Sequence, residues 1–155
     1  MERLSWNHDK QGDMSRVAFK GSIDEYSGHP LLKLADELLP QALLNLRDIS
    51  MVNSSGIKNL LIFVRAAKAR SQLTFEECSP ILARQLAMVP ALREGVTIDS
   101  LLLTFMCNDC SDSELDILVQ TKDRETEPSA LCPECAKPMV VEDEVLLHLL
   151  ANVRK

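Results

Sequence analysis

The spacing of apolar and polar residues changes several times along the chain, and each spacing predicts a different element. Residues 4–6 and 17–19 alternate between apolar and polar around a Gly12-Asp13 turn, which predicts a β-hairpin. Three later stretches repeat apolar residues on one helical face: 29–40, 55–70 and 80–89. The apolar runs within 41–46, 72–78 and 95–107 suit strands. Together they predict an α/β fold with a mixed sheet.

Four of the five cysteines form two C-x-x-C pairs, Cys107 with Cys110 and Cys132 with Cys135. Each pair can turn two thiolates toward one point, and two such knuckles complete the tetrahedral sulfur site typical of structural zinc. Strand-like residues between and after the pairs give the layout of a zinc ribbon. We therefore expect one structural Zn²⁺ here, rather than the redox dithiol that CPEC alone suggests.

Two details accompany the cysteine pattern. Glycine often follows the second cysteine of a knuckle, and Ser111 and Ala136 stand there instead, which predicts slight strain. The fifth cysteine, Cys78, follows Glu76 and Glu77 and has no cationic neighbour in the sequence, so we expect a buried, unreactive thiol.

The balance of charge argues against nucleic acid and membrane as partners. The whole chain carries a formal net charge of −6. Between Met106 and Val140, eight acidic and three basic residues give −5, and four thiolates with one Zn²⁺ add −2. Such a surface repels phosphate, which disfavours the alternative of a transcription-associated ribbon that contacts nucleic acid. No apolar run is long enough to span a bilayer and the N-terminus lacks a signal-peptide pattern, so we expect a cytoplasmic protein.

The turn Asn53-Ser54-Ser55-Gly56 joins the strand to the second helix, a place where phosphate can be held. It has too few glycines for a nucleotide-binding loop, and no histidine signature accompanies its serines as a base. No catalytic residues are therefore predicted, and we expect no enzyme activity. Two interpretations of the serines stay open: one of them accepts a phosphoryl group and switches partner binding, or one of them only caps the helix.

At these residues the sequence resembles a known family. The run FKGSID (Phe19 to Asp24), a helix, and then LLNLRDISMVNSSG resemble the STAS domain of sulfate transporters and anti-sigma-factor antagonists, over about residues 2–104. The resemblance implies a sheet of four or five strands with helices on one side, no catalysis, and protein binding around the start of the second helix. In bacterial anti-sigma-factor antagonists the phosphoacceptor is the serine directly after an aspartate, which maps onto Ser54. The family commonly has aspartate where this chain has Asn53 and Asn45.

These observations divide the chain into a STAS-like domain (1–104), a zinc ribbon (105–141) and a C-terminal helix (142–155) that we expect to pack back on the domain, or else to belong to the ribbon. The function that they favour is a regulatory protein–protein interaction module in bacterial signalling, with an anti-sigma factor or a serine kinase as partner. A small-molecule sensor is a further alternative. The apolar C-terminal helix could also pair two chains.

Overall fold

The order of strands and helices follows the chain closely, as seen in a computed structural model that describes residues 2–110, 113–123 and 127–154. The elements are β1 (Ser5–Gln11), β2 (Met14–Ile23), α1 (Gly28–Glu37), β3 (Gln41–Val52), α2 (Ser54–Lys68), β4 (Gln72–Glu76), α3 (Pro80–Met88), a 3-10 turn (Pro90–Leu92), β5 (Thr97–Ile98), β6 (Ser100–Met106), β7 (Glu114–Gln120), β8 (Val140–Val141) and α4 (Glu144–Val153). The predicted hairpin and all three predicted helices of the first domain are confirmed.

A five-stranded mixed sheet, in the order β1-β2-β3-β4-β5, forms the first part of the molecule. The hairpin β1–β2 is antiparallel, and the remaining neighbours are parallel because a helix returns the chain between them. The predicted α/β fold with a mixed sheet is therefore confirmed. Inside the described ranges, no helix combines the length and apolar character needed to cross a membrane.

Helices α1, α2 and α3 cover one face of this sheet. Leu31, Phe63 and Leu82, one from each helix, line the same apolar core as Phe19 and Phe75 of the strands. Trp6 packs edge-on against Phe19 with ring centroids 5.6 Å apart. The opposite face is polar, since alternate residues of β2 point away from the helices and are exposed.

A second sheet, with the strand order β7-β6-β8, follows the first directly along the chain. A single residue, Asp99, lies between β5 of the first sheet and β6 of the second. Cys78, which follows β4, forms a parallel bridge with Leu101 near the start of β6 and so links the two sheets. Glu77, the residue after β4, turns the chain by adopting φ +49°, and its N–H donates to Ser100 Oγ at 2.8 Å. Strand β6 runs through residues 104 and 105, where the sequence pattern suggested a domain boundary.

The C-terminal helix α4 packs against α3. Asp143 caps α4 by accepting from the N–H of Val145, and it also forms an ion pair with Arg84 of α3. Leu146, Leu149 and Leu150 of α4 are buried in the common core. Four residues that entered the predicted knuckle geometry and charge lie outside the described residues: Ser111, Asp112, Arg124 and Glu125.

Candidate metal centre and candidate phosphorylation site

All four predicted metal ligands meet at one place. Their sulfur atoms lie within 4.8 Å of one another, and Cys107 Sγ is 3.5 Å from Cys135 Sγ. A tetrahedron with Zn–S distances of about 2.3 Å has sulfur–sulfur edges of about 3.8 Å, so a small adjustment would suit the ion. Four thiolates fill the coordination sphere and leave no open position for a substrate. The residues therefore fit a structural metal ion.

Two backbone hydrogen bonds close the turn of the second knuckle. The N–H of Ala136 donates to the carbonyl of Cys132 at 2.8 Å, and the N–H of Cys132 donates to the carbonyl of Lys137 at 2.9 Å. Ala136 adopts φ +61°, a left-handed conformation that glycine would adopt more easily. The strain predicted at this position is thus present.

Hydrogen bonds favour the metal-binding form of one thiol, Cys132, whereas hydrogen bonding with Cys135 raises the pKa of the Cys110 thiol to about 12. The backbone N–H groups of Cys135 and Glu134 lower the pKa of the Cys132 thiol to about 6, which favours the thiolate that binds metal. Two side-chain contacts join the knuckles: Lys137 Nζ lies 3.3 Å from Asp109 Oδ2, and Ser113 Oγ donates to Glu134 Oε2 at 3.0 Å. These contacts hold the four sulfurs together from outside.

The start of α2 differs in one respect from the sequence prediction. The residue that caps the helix is Asn53, whose Oδ1 accepts from the N–H of Gly56 at 2.8 Å. The interpretation of Ser54 or Ser55 as the cap is therefore wrong, because both already belong to the first turn of α2. Both serines are exposed, whereas Gly56 is buried. A hydroxyl at Ser54 is accessible to another protein.

Gly56 brings the first turn of α2 into contact with the end of β2. A Cβ atom at this position would lie 2.0 Å from the carbonyl oxygen of Ile23. The N–H of Asn53 donates to the same oxygen at 3.2 Å. This close approach fixes the helix start against the sheet and leaves Ser54 and Ser55 on the outside.

Asn53 and Asn45 each donate a side-chain hydrogen bond to a glutamate. Asn53 Nδ2 donates at 2.9 Å to Oε2 of Glu25, which lies in the turn between β2 and α1. Asn45 Nδ2 donates to Glu76 Oε1 at 3.2 Å and also to Glu77 Oε2. A carboxylate cannot donate these bonds. Sequence reasoning missed the glutamates because Glu25 is 28 residues from Asn53 and no local pattern links them.

Two further features bear on enzyme and sensor alternatives. His8 Nε2 lies 2.8 Å from Ser15 Oγ, a pair that the sequence did not suggest. Ser15 is fully buried and its oxygen also accepts from the N–H of Leu39 at 3.0 Å, so the pair ties β1 and β2 to the segment after α1. The void in the helix-covered core is only about 10 Å³, no larger than a water molecule needs, so this void cannot hold a small-molecule ligand. An open surface groove of about 430 Å³ beside Arg93 and Asp99 is large enough for one.

Cys78 is the buried thiol that the sequence predicted. Its side chain has no exposed surface, and burial raises its pKa to about 12. A thiol in this environment stays protonated and does not react.

A comparison with solved structures finds chains of similar fold. The structure is similar to that of the anti-sigma factor antagonist SpoIIAA in its unphosphorylated form, with a TM-score of 0.45 and 16% sequence identity, over 61% of this chain and 87% of that chain. No protein-family model matches the sequence. No curated protein matches it either.

Proposed function

We propose that this chain is a non-enzymatic regulatory module of the anti-sigma-factor-antagonist type, which binds a protein partner through the loop Asn53-Ser54-Ser55-Gly56 and is switched by phosphorylation of Ser54. The observation that carries the proposal is the position of Ser54: exposed, in the first turn of α2, directly after the capping residue. The partner is an anti-sigma factor or a serine kinase.

Phosphorylation at this position changes the surface more than the fold. A partner kinase would transfer the γ-phosphoryl group of ATP to Ser54 Oγ, with loss of the hydroxyl proton and release of ADP. The product carries a charge of about −1.5 to −2 at neutral pH. A helix N-terminus accommodates negative charge, so α2 remains in place while its partner meets a different charge. Release of the partner follows from the altered surface.

The proposed role of the ribbon is structural. Cys107, Cys110, Cys132 and Cys135 would hold one Zn²⁺, and the ion would fix the segment between β6 and α4. A reducing compartment, the cytoplasm, would keep the thiols free for metal. The exposed Asp109 and Glu134 beside the cysteines support a ribbon that does not bind nucleic acid.

Mass spectrometry of the full chain from its native host tests both parts. Native spectra should give one Zn²⁺ per chain. Phosphopeptide spectra should give a mass increase of about 80 Da on the peptide that contains Ser54. Ser54→Ala should abolish the phosphopeptide, whereas the matched control Ser55→Ala should keep it. Phosphate on Ser55 alone, or none under any growth condition, would contradict the assignment of Ser54.

A further inference from the structure

We propose that Lys58 and Glu25 respond to the charge of Ser54: Lys58 binds a phosphoryl group on Ser54, and this group displaces Glu25 from Asn53. The inference rests on the proposed phosphorylation and names the residues through which it would act. It follows from the positions of these side chains around the start of α2.

Lys58 lies where an anion on Ser54 would be bound. The two residues are four apart on α2, and both are exposed. Residues at this spacing lie on the same helix face with Cβ atoms about 5–6 Å apart. The order is the favourable one, because an anion four residues before a lysine agrees with the helix dipole. Within the described part of the chain, no carboxylate forms an ion pair with Lys58.

Glu25 lies where the same anion would be repelled. Its carboxylate is exposed and accepts from the side chain of Asn53, the residue next to Ser54. Among the residues that the structure describes, no cation forms an ion pair with Glu25. A phosphoryl group beside Asn53 repels this carboxylate and offers the amide a competing acceptor. Glu25 would therefore leave Asn53.

The hydrogen bonds in the rest of the β2–α1 turn do not involve Ser54, Asn53 or Glu25. Asp24 Oδ1 accepts from the N–H of Tyr26 at 2.9 Å, and Asn59 Nδ2 donates to the Asp24 carbonyl at 2.9 Å. The change is therefore limited to three side chains: Lys58 forms an ion pair with the phosphoryl group, Glu25 loses its hydrogen bond, and Asn53 donates to the phosphoryl group instead. A partner with an acidic side chain against Lys58 would lose that contact.

The test uses the full-length, zinc-containing chain with phosphoserine incorporated genetically at position 54. ³¹P NMR then measures the second ionisation of the phosphate, whose pKa is ordinarily about 6. Lys58→Met should raise that pKa by about 0.3, and Glu25→Gln should lower it by a similar amount. Matched controls remove the same charges from exposed positions farther away: Arg65→Met near the other end of α2, and Glu37→Gln at the end of α1. The other charged groups of the site, Asp24 and the Arg3 that stacks over Tyr26, are kept in every variant.

Each half of the inference has an outcome that overturns it. Equal phosphate pKa values in Lys58→Met and Arg65→Met would show that Lys58 does not bind the phosphoryl group. Equal phosphate pKa values in Glu25→Gln and Glu37→Gln would show that the phosphoryl group does not repel Glu25. As a second readout, the side-chain amide signals of Asn53 should shift on phosphorylation in the wild type and much less in Glu25→Gln. Because the phosphate is installed without a kinase, these results are independent of whether the native host phosphorylates Ser54.

Discussion

Replacing Asn53 by aspartate tests whether the bond to Glu25 stabilises the start of α2. Aspartate caps helices about as well as asparagine, so the bond from the N–H of Gly56 to the capping oxygen is kept. Its charge also gains about 0.3–1 kcal/mol from the helix dipole. On capping alone, Asn53→Asp would stabilise the protein slightly.

The contact with Glu25 reverses this expectation. Asn53 Nδ2 is 2.9 Å from Glu25 Oε2, so aspartate would set two negative charges at this distance. Two unit charges this close repel by about 1.4 kcal/mol in a water-like dielectric. A lost hydrogen bond to an exposed carboxylate adds about 0.5–1 kcal/mol. After subtraction of the dipole gain, we expect Asn53→Asp to lower the free energy of unfolding by about 1–2 kcal/mol at pH 7.

The sign of the pH dependence follows from the same contact. At acidic pH, one of the two carboxylates in the variant becomes protonated and can donate to the other. The deficit relative to the wild type should therefore be full at pH 7 and shrink at acidic pH. Comparison of variant and wild type at each pH cancels any effect of acid on the cysteine site.

Urea denaturation followed by fluorescence of Trp6 measures this free energy, since Trp6 is the single tryptophan and packs against Phe19 in the core. The double variant Asn53→Asp with Glu25→Gln restores a donor and should recover most of the loss. Glu25→Gln alone is the matched control that completes the cycle. An Asn53→Asp chain as stable as the wild type at pH 7, or no recovery in the double variant, would refute the reasoning.

Three other predictions concern the core, the thiols and the metal. Gly56→Ala should lower the free energy of unfolding by about 1–3 kcal/mol in urea denaturation, because its Cβ would lie 2.0 Å from the Ile23 carbonyl oxygen; a neutral substitution would contradict this contact. Because burial raises the pKa of Cys78 from 9.0 to about 12, the unfolded chain loses this proton first as pH rises, so stability should fall by about 1.4 kcal/mol per pH unit above about pH 9. In Cys78→Ala the slope should be smaller by this amount, and an unchanged slope would show that Cys78 does not cause it. A chelator should lower the Tm by about 10 °C or more in thermal denaturation, and Cys110→Ser should have a low Tm that no longer responds to the chelator.

The sequence predicted those elements whose causes are local. The hairpin follows from alternation around Gly12, and α3 begins where Ser79 accepts from the N–H of Leu82 and Pro80 occupies the first turn. The strained turn at Ala136 followed from the residue type alone. Each of these features depends on residues within a few positions of one another, which is why a single sequence reveals them.

Features that join distant segments could not be predicted in this way. The connection between the two sheets depends on the pairing of Cys78 with Leu101. It also depends on Glu77, whose carboxylate accepts hydrogen bonds from Asn45 and Arg47 of β3. The capping role of Asn53 had a local signal, since asparagine ranks with serine as a helix cap. Its second bond, to Glu25, had none.

The pairing of each asparagine with glutamate also bears on how a kinase would recognise Ser54. Asn53 directly precedes Ser54 and holds the carboxylate of Glu25 at hydrogen-bond distance. A negative charge therefore lies one side chain away from the proposed phosphoacceptor. A kinase that requires an acidic group beside the serine would find it on the β2–α1 turn, so Glu25→Gln should slow phosphorylation of Ser54 in the native host whereas Glu37→Gln should not.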